Sequence, residues 1–230
     1  MKEQAASHVH IEEVRRKILS AARTLCLEQG YKKTTIRQIV QTSGVLTGSI
    51  YYLYKNKADI FQAMMLELFK ECVQILEADF HDASPAVRYG LMCRVELKAV
   101  ECSPLARETY YEGYTQPAIF EKIVRYAAAV TRDMFQGEWP SLTAQEYYQR
   151  TLLIRGMMRS CIAQYYFAGG AADPACEKLT LEVALTLLGV KEAERERALS
   201  QLAGMDMEVC RLTERMLNRQ KTIGKSGGFS

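Results

Sequence analysis

The chain has 230 residues and a mass of 26.1 kDa, enough for one large domain or two small ones. Hydrophobic residues make up 48% and charged residues 25%, which excludes a disordered or collagen-like chain. The net charge is only +3, but ten Lys/Arg against five Asp/Glu put +5 on residues 1–61 and leave −2 on the remainder.

No apolar run approaches the ~18 residues of a membrane span, and the polar N-terminus is not a secretory signal. Seven widely spaced cysteines form no CxxC pair, so neither a disulfide framework nor a zinc site is expected, and a reducing cytoplasm fits best. HExxH, P-loop and GxGxxG motifs are all missing, and the three histidines (His8, His10, His81) fall at the N-terminus and in an expected loop. The expectation is a protein without cofactor or catalytic metal, and not an enzyme.

Apolar residues recur with helical period along the chain, and prolines punctuate it, so the expected fold is all-α. The first helix is expected over 12–28, with Val14, Ile18, Ala21, Ala22 and Leu25 on one face and Gly30 as its stop. Two short helices follow, over 35–42 and 47–54, joined by Ser43-Gly44-Val45. In the first of them Ile36, Ile39 and Val40 face inward. A longer helix starts at Lys57. Further helices are expected over 85–101, 104–113, 117–135, 143–168 and 174–188, and a single last one over 191–219. The Gly/Ser-rich tail, 221–230, reads as disordered.

Two short helices at a tight glycine turn form a helix-turn-helix, in which one helix braces on the phosphate backbone while the other enters the major groove. In the second helix Ile50 and Tyr54 sit i,i+4 and face the core, which leaves Thr47, Gly48, Ser49, Tyr51, Tyr52 and Leu53 outward. Small residues at its start admit the DNA backbone, hydroxyls bond phosphates or base edges, and rings touch thymine methyls. A tyrosine pair on a short helix is also ordinary core. What favours DNA is the stretch between Glu28 and Asp59, which holds no acid and five bases: Lys32, Lys33, Arg37, Lys55 and Lys57.

Residues 12–70 resemble the DNA-binding domain of TetR-family transcriptional regulators. The resemblance rests on Gly30, Thr34-Thr35-Ile36, Ile39-Val40, Ser43-Gly44-Val45, Gly48-Ser49-Ile50-Tyr51, Asn56-Lys57 and Ile60-Phe61, in order and nearly without gaps. It implies a three-helix helix-turn-helix domain over 11–70 and a helical ligand-binding and dimerisation domain over 71–220. By position it implies that Thr35 caps the first motif helix and touches phosphate, and that Arg37 reaches phosphate or a base. It further implies that Thr47, Gly48 and Ser49 face the groove, that Tyr51 and Tyr52 contact phosphate or base, and that Lys57 meets phosphate. Three positions depart from the pattern: Leu46 cannot cap where the family has Ser, which leaves the cap to Thr47. Leu53 replaces a histidine, and Tyr54 replaces a phenylalanine.

The resemblance implies a ligand-responsive regulator, a repressor in most of the family, that binds a palindromic double-stranded operator as a homodimer and is released by a small, largely apolar molecule. The alternative is a helical nucleic-acid-binding or protein-interaction module without ligand response. The apolar surface over 143–168 is wider than one stripe, so this helix and that over 174–188 are expected to pair with their copies in a four-helix dimer interface. Plain intramolecular core is the competing assignment. Soft and aromatic side chains suggest a pocket at Tyr110, Tyr114, Phe120, Met158, Arg159 and Tyr165, with Tyr111, Trp139 and Tyr166 nearby; ordinary core is the alternative for each. Arg155 and Arg159, i,i+4 on one helix, meet either an anionic ligand or, as the favoured reading, an acid such as Glu96 or Glu101.

Overall fold

The computed structural model describes residues 2–138, 142–170 and 174–223. Trp139 and the 224–230 part of the tail lie outside the described residues. Helices account for nearly all regular structure, in the order α1 (Lys2–Gln29), α2 (Ile36–Ser43), α3 (Thr47–Leu53), α4 (Lys57–Asp79), α5 (Pro85–Cys102), α6 (Pro104–Thr115), α7 (Pro117–Phe135), α8 (Ala144–Phe167), α9 (Pro174–Leu187), α10 (Glu192–Ala203) and α11 (Asp206–Ile223). Among the described residues no helix is long and apolar enough to cross a membrane.

The helix starts follow from side-chain chemistry. Pro85, Pro104 and Pro117 each open a helix, where the missing N–H is one the helix could not have satisfied. Ser84 and Ser103 accept from the backbone N–H of Val87 and Ala106. Thr35–Gln38 and Thr143–Glu146 close reciprocal capping boxes on α2 and α8. Asn56 caps α4 by accepting from the Asp59 N–H.

Three boundaries differ from expectation, the first being the start of α1 at Lys2, ten residues before the expected start at 12. The expected last helix is two, because the chain breaks at Gly204-Met205 and restarts at Asp206. Both α10 and α11 pack on α5, and the Asp206 carboxylate at the restart pairs with Arg94 of α5 (2.7 Å). The second helix also runs on to Ile223, so helix extends into the stretch expected as tail.

The helix α5 is the axle of the larger part, with Tyr89, Leu91, Cys93, Val95, Glu96 and Val100 all buried. Helices α6, α8, α9, α10 and α11 pack around it. Gly90 is what lets α10 approach, since a Cβ there would strike the Leu202 side chain. At the other end α1, α2 and α3 form a small three-helix unit around Ile18, Ala22, Ile39, Val45, Ile50 and Tyr54. It joins the larger part through α4, α6 and α11, each of which contacts α1.

Candidate DNA interface and a buried charge cluster

The turn between α2 and α3 depends on Gly44, which sits at φ 65° and returns its N–H to the Val40 carbonyl (3.1 Å). The turn packs through Val45, while Leu46 lies in the N-cap position of α3 with no side-chain cap. Thr47 is the first residue of α3 and does not serve as its cap. Uncapped N–H groups at this end remain available to an acceptor from outside.

Ile50 and Tyr54 anchor α3 to the core at 0% and 5% exposure. Thr47 and Gly48 are exposed and Ser49 is partly so. Tyr51 and Tyr52 project into solvent at 54% and 79% exposure, so neither is a core residue of the chain. Leu53, expected outward, is half-buried and packs against the core, because seven residues of helix turn it back toward Ile50's side.

The bases around α3 divide into two groups. Lys33, Arg37 and Lys55 are exposed on the same unit. Lys32 and Lys57 have internal partners. Lys32 pairs with Glu112 of α6 (3.2 Å), which raises its pKa. Lys57 donates to the Tyr31 carbonyl (3.0 Å) and lies over the Tyr31 ring at 4.1 Å. Thr35 spends its hydroxyl on the capping box with Gln38 (2.9 Å) and stays exposed.

The second cluster is in the interior of the larger part. Arg155 of α8 is completely buried, and its Nη1 donates to Glu96 Oε2 of α5 (2.7 Å) and to Tyr114 Oη of α6 (3.0 Å). Tyr114 in turn donates to Glu96 Oε1 (2.5 Å). The Phe69 ring of α4 lies 4.9 Å from the guanidinium carbon. Four helices thus meet at one ion pair. Burial raises the Glu96 carboxyl above the ordinary range, against lowering by the Arg155 charge and the Tyr114 hydrogen bond. Arg155 Nε and Nη2 are buried with no hydrogen-bond partner.

Of the residues expected at a pocket, Tyr110, Tyr114, Met158 and Tyr165 are buried, and Tyr114 belongs to the Arg155 cluster. Phe120 is half-buried beside Tyr114, with ring centroids 5.8 Å apart. Arg159 is exposed and lies over Phe120 at 5.7 Å. Tyr111 and Tyr166 stack at 4.0 Å nearer the surface. The sequence names Glu96 as a partner for Arg155, and the pair forms; Glu101 bonds Lys98 instead (2.8 Å). None of these pocket residues lines the open cleft of about 620 Å³ between α5, α9 and α10, which Arg94, Glu177, Leu181, Arg195, Leu199 and Leu202 border.

Two short helices at a left-handed glycine turn, the second with a bare hydroxyl-bearing face among exposed bases, form a helix-turn-helix, the class of motif that docks on duplex DNA. Comparison with known proteins agrees. Residues 18–64 match the family described as bacterial regulatory proteins, tetR family. A 50-residue stretch is 50% identical to the HTH-type transcriptional regulator HbdR of Aromatoleum sp. (strain CIB), covering 22% of each chain. Over 124 residues the chain is 27% identical to the HTH-type transcriptional repressor KstR2 of Rhodococcus jostii (strain RHA1), covering 54% of this chain and 56% of that one. The chain thus spans at most 56% of the length of these two curated relatives. Both relatives are named as regulators, not enzymes. Among solved structures, RolR in complex with resorcinol superposes with a TM-score of 0.64 at 19% identity, covering 84% of this chain and 96% of RolR. That likeness establishes the fold. Residues 18–64 thus carry the match to the tetR family, and the chain shares the fold of RolR.

Proposed function

We propose that the protein is a ligand-controlled repressor that binds a near-palindromic operator as a homodimer and leaves it when a small molecule enters the larger helical domain. The observation that carries the DNA half is the bare face of α3: Thr47, Gly48, Ser49, Tyr51 and Tyr52 stand outward with Arg37, Lys33 and Lys55 beside them. Thr47 to Ser49 meet the groove floor, Tyr51 and Tyr52 reach a base methyl or a phosphate, and the lysines neutralise the backbone. Thr35 and Lys57 sit at helix starts facing the flanking phosphates.

Dimerisation is supported by apolar surface on α8 and α9, where Leu152, Leu153, Phe167 and Leu179 are 37–74% exposed. Such a patch on adjacent helices favours a second copy. Two motifs would then meet successive major grooves about 34 Å apart.

Control is supported by the joints between the two parts. Helix α6 carries Tyr114 in the charge cluster, and it also carries Glu108 and Glu112, which hold the Lys32 backbone N–H (3.3 Å) and Nζ (3.2 Å). Gly30 in the same turn has no room for a Cβ because the Glu108 carboxylate occupies it. The helix α4 runs from Phe69 beside Arg155 to Lys57 on the Tyr31 carbonyl. A ligand that repacks the cluster would therefore shift α4 or α6 and, through them, the spacing of the two motifs. The effector is a compact, mostly apolar molecule taken in near Tyr110, Tyr114, Phe120, Met158, Arg159 and Tyr165. RolR, of the same fold, was solved with resorcinol, a molecule of that size.

The test begins with operator selection from random duplexes, followed by binding at several salt concentrations. Specific affinity should exceed random-DNA affinity by more than about 10³. Tyr51→Ala should lower specific affinity by about tenfold or more while leaving the melting temperature unchanged, because the side chain is exposed. Equal affinity for selected and random duplexes would overturn the reading.

A further inference from the structure

A fully buried guanidinium with part of its donor set unused is expensive to keep, since each buried donor without an acceptor loses its hydration uncompensated. In Arg155 the unused donors are Nε and Nη2, whose N–H bonds project in parallel from one edge of the fork. The other edge is held by Glu96 and Tyr114, and the flat face lies against Phe69. The free edge fits two coplanar acceptor oxygens, the arrangement a carboxylate supplies. Thr151 Oγ1, one helical turn before Arg155 on α8, is likewise buried without a partner.

We propose that the Nε/Nη2 edge of Arg155 anchors a carboxylate on the effector, with Glu96 taking up one proton as the acid binds. The proposal rests on the ligand-controlled reading given above and names the chemical class of the ligand. The step balances simply. The undissociated acid RCOOH and the Glu96 carboxylate become RCOO⁻ on Arg155 and a neutral Glu96 carboxyl; equivalently, RCOO⁻ enters with one proton drawn from water. The cluster holds one positive and one negative charge before and after, so no net charge is added to the core.

Tyr114 Oη, 2.5 Å from Glu96 Oε1, can accept from the protonated carboxyl. The other titratable groups facing the pair are Cys72 from α4, Tyr89 and Cys93 from α5, and Tyr110 from α6. Burial pushes both thiols up to about 12 and raises both phenols, so these groups already hold their protons, and the Glu96 carboxylate is the proton acceptor of the cluster. The apolar body of the acid meets the buried Phe69 ring of α4 beside the guanidinium. The methionine side chains bordering this core, Met65 and Met158, can repack to admit it.

The experiment titrates the full-length protein with benzoate, phenylacetate and isovalerate, each beside its primary amide, by calorimetry in two buffers of different ionisation enthalpy. At least one acid should bind tenfold or more tightly than its amide, with uptake of close to one proton. Its affinity should rise by about tenfold per unit fall in pH near neutrality, while the amides show no slope. The paired variant Arg155→Met/Glu96→Leu removes both charges together, so no orphaned ion remains to unfold the chain. It should stay folded and lose acid binding with its pH slope. Arg195→Met, in the open cleft, should leave acid binding unchanged.

Amides that match every acid, acid binding that survives the paired variant, or its loss in Arg195→Met would each overturn the assignment. Release from the operator is read separately by fluorescence anisotropy. Release of the unaltered protein by uncharged compounds, with none of the acids bound, would keep the ligand-controlled reading and discard the carboxylate anchor. Acid binding with proton uptake but no change in DNA affinity would do the reverse.

Discussion

Lys57 has two claims on one ammonium. It sits at the first turn of α4, where a phosphate would be drawn both to its charge and to the helix start, yet its Nζ already donates to the Tyr31 carbonyl. An ammonium has three donors, so the internal bond leaves two for an outside acceptor. Lys57→Ala therefore acts twice. It should lower stability by about 1 kcal/mol, seen as a melting-temperature drop of roughly 2–4 °C, through loss of the bond to the turn. It should also lower DNA affinity by a similar factor on all sequences and flatten the salt dependence by ~1 in slope. A loss confined to the selected operator would show that the residue reads bases. Tyr51 and Tyr52 carry no such double role, as their exposure leaves the fold indifferent to them.

Among helices, the contact of α5 with α10 is where substitution should be felt most sharply. Gly90 faces Leu202, and the two surfaces touch because one residue has no side chain. Gly90→Ala should destabilise by about 1–3 kcal/mol through overpacking. Leu202→Ala alone should cost about 2–5 kcal/mol through the cavity it leaves. Together they should cost clearly less than the sum, because the new methyl enters the space the leucine vacates. Denaturant unfolding of the three variants measures the coupling; strict additivity would mean the helices do not meet there. The α2–α3 joint is a different kind of device. Gly44 holds a left-handed turn with open space around it, so its constraint is backbone conformation and not packing.

At the level of the whole molecule, two parts share α1, α4, α6 and α11 as a seam. Arg23 of α1 crosses it twice, pairing with Glu71 of α4 (2.7 Å) and donating to the Met216 carbonyl of α11 (2.6 Å). These contacts tie the three-helix unit to the larger part. The apolar face of α8 and α9 should hold the copies together. Leu153→Glu with Leu179→Glu places two charges on that face without touching the core, since both side chains are more than half exposed. Light scattering should show a monomer at micromolar concentration, with the palindromic operator bound about as weakly as a half-site. An unchanged dimer would place the interface elsewhere.

The all-helical class, most helix starts and the helix-turn-helix were legible in the residues alone, because caps, prolines, Gly44 and the i,i+4 pair Ile50 and Tyr54 act within a few positions of one another. The break at Gly204 was not, because the apolar stripe Leu199, Leu202, Met205, Val209 and Leu212 keeps helical period across it and masks the glycine. The internal bonds of Lys32 and Lys57 depend on Glu112 of α6 and on the Tyr31 carbonyl in the turn after α1, which periodicity does not locate. The Arg155–Glu96 pair spans 59 positions, and only the packing of α4, α5, α6 and α8 decides that the fork closes on one edge and stays open on the other. Local chemistry sets where a helix begins and which face is oily. Burial of a charge, and what it leaves unpaired, is a property of the several helices that exclude water around it.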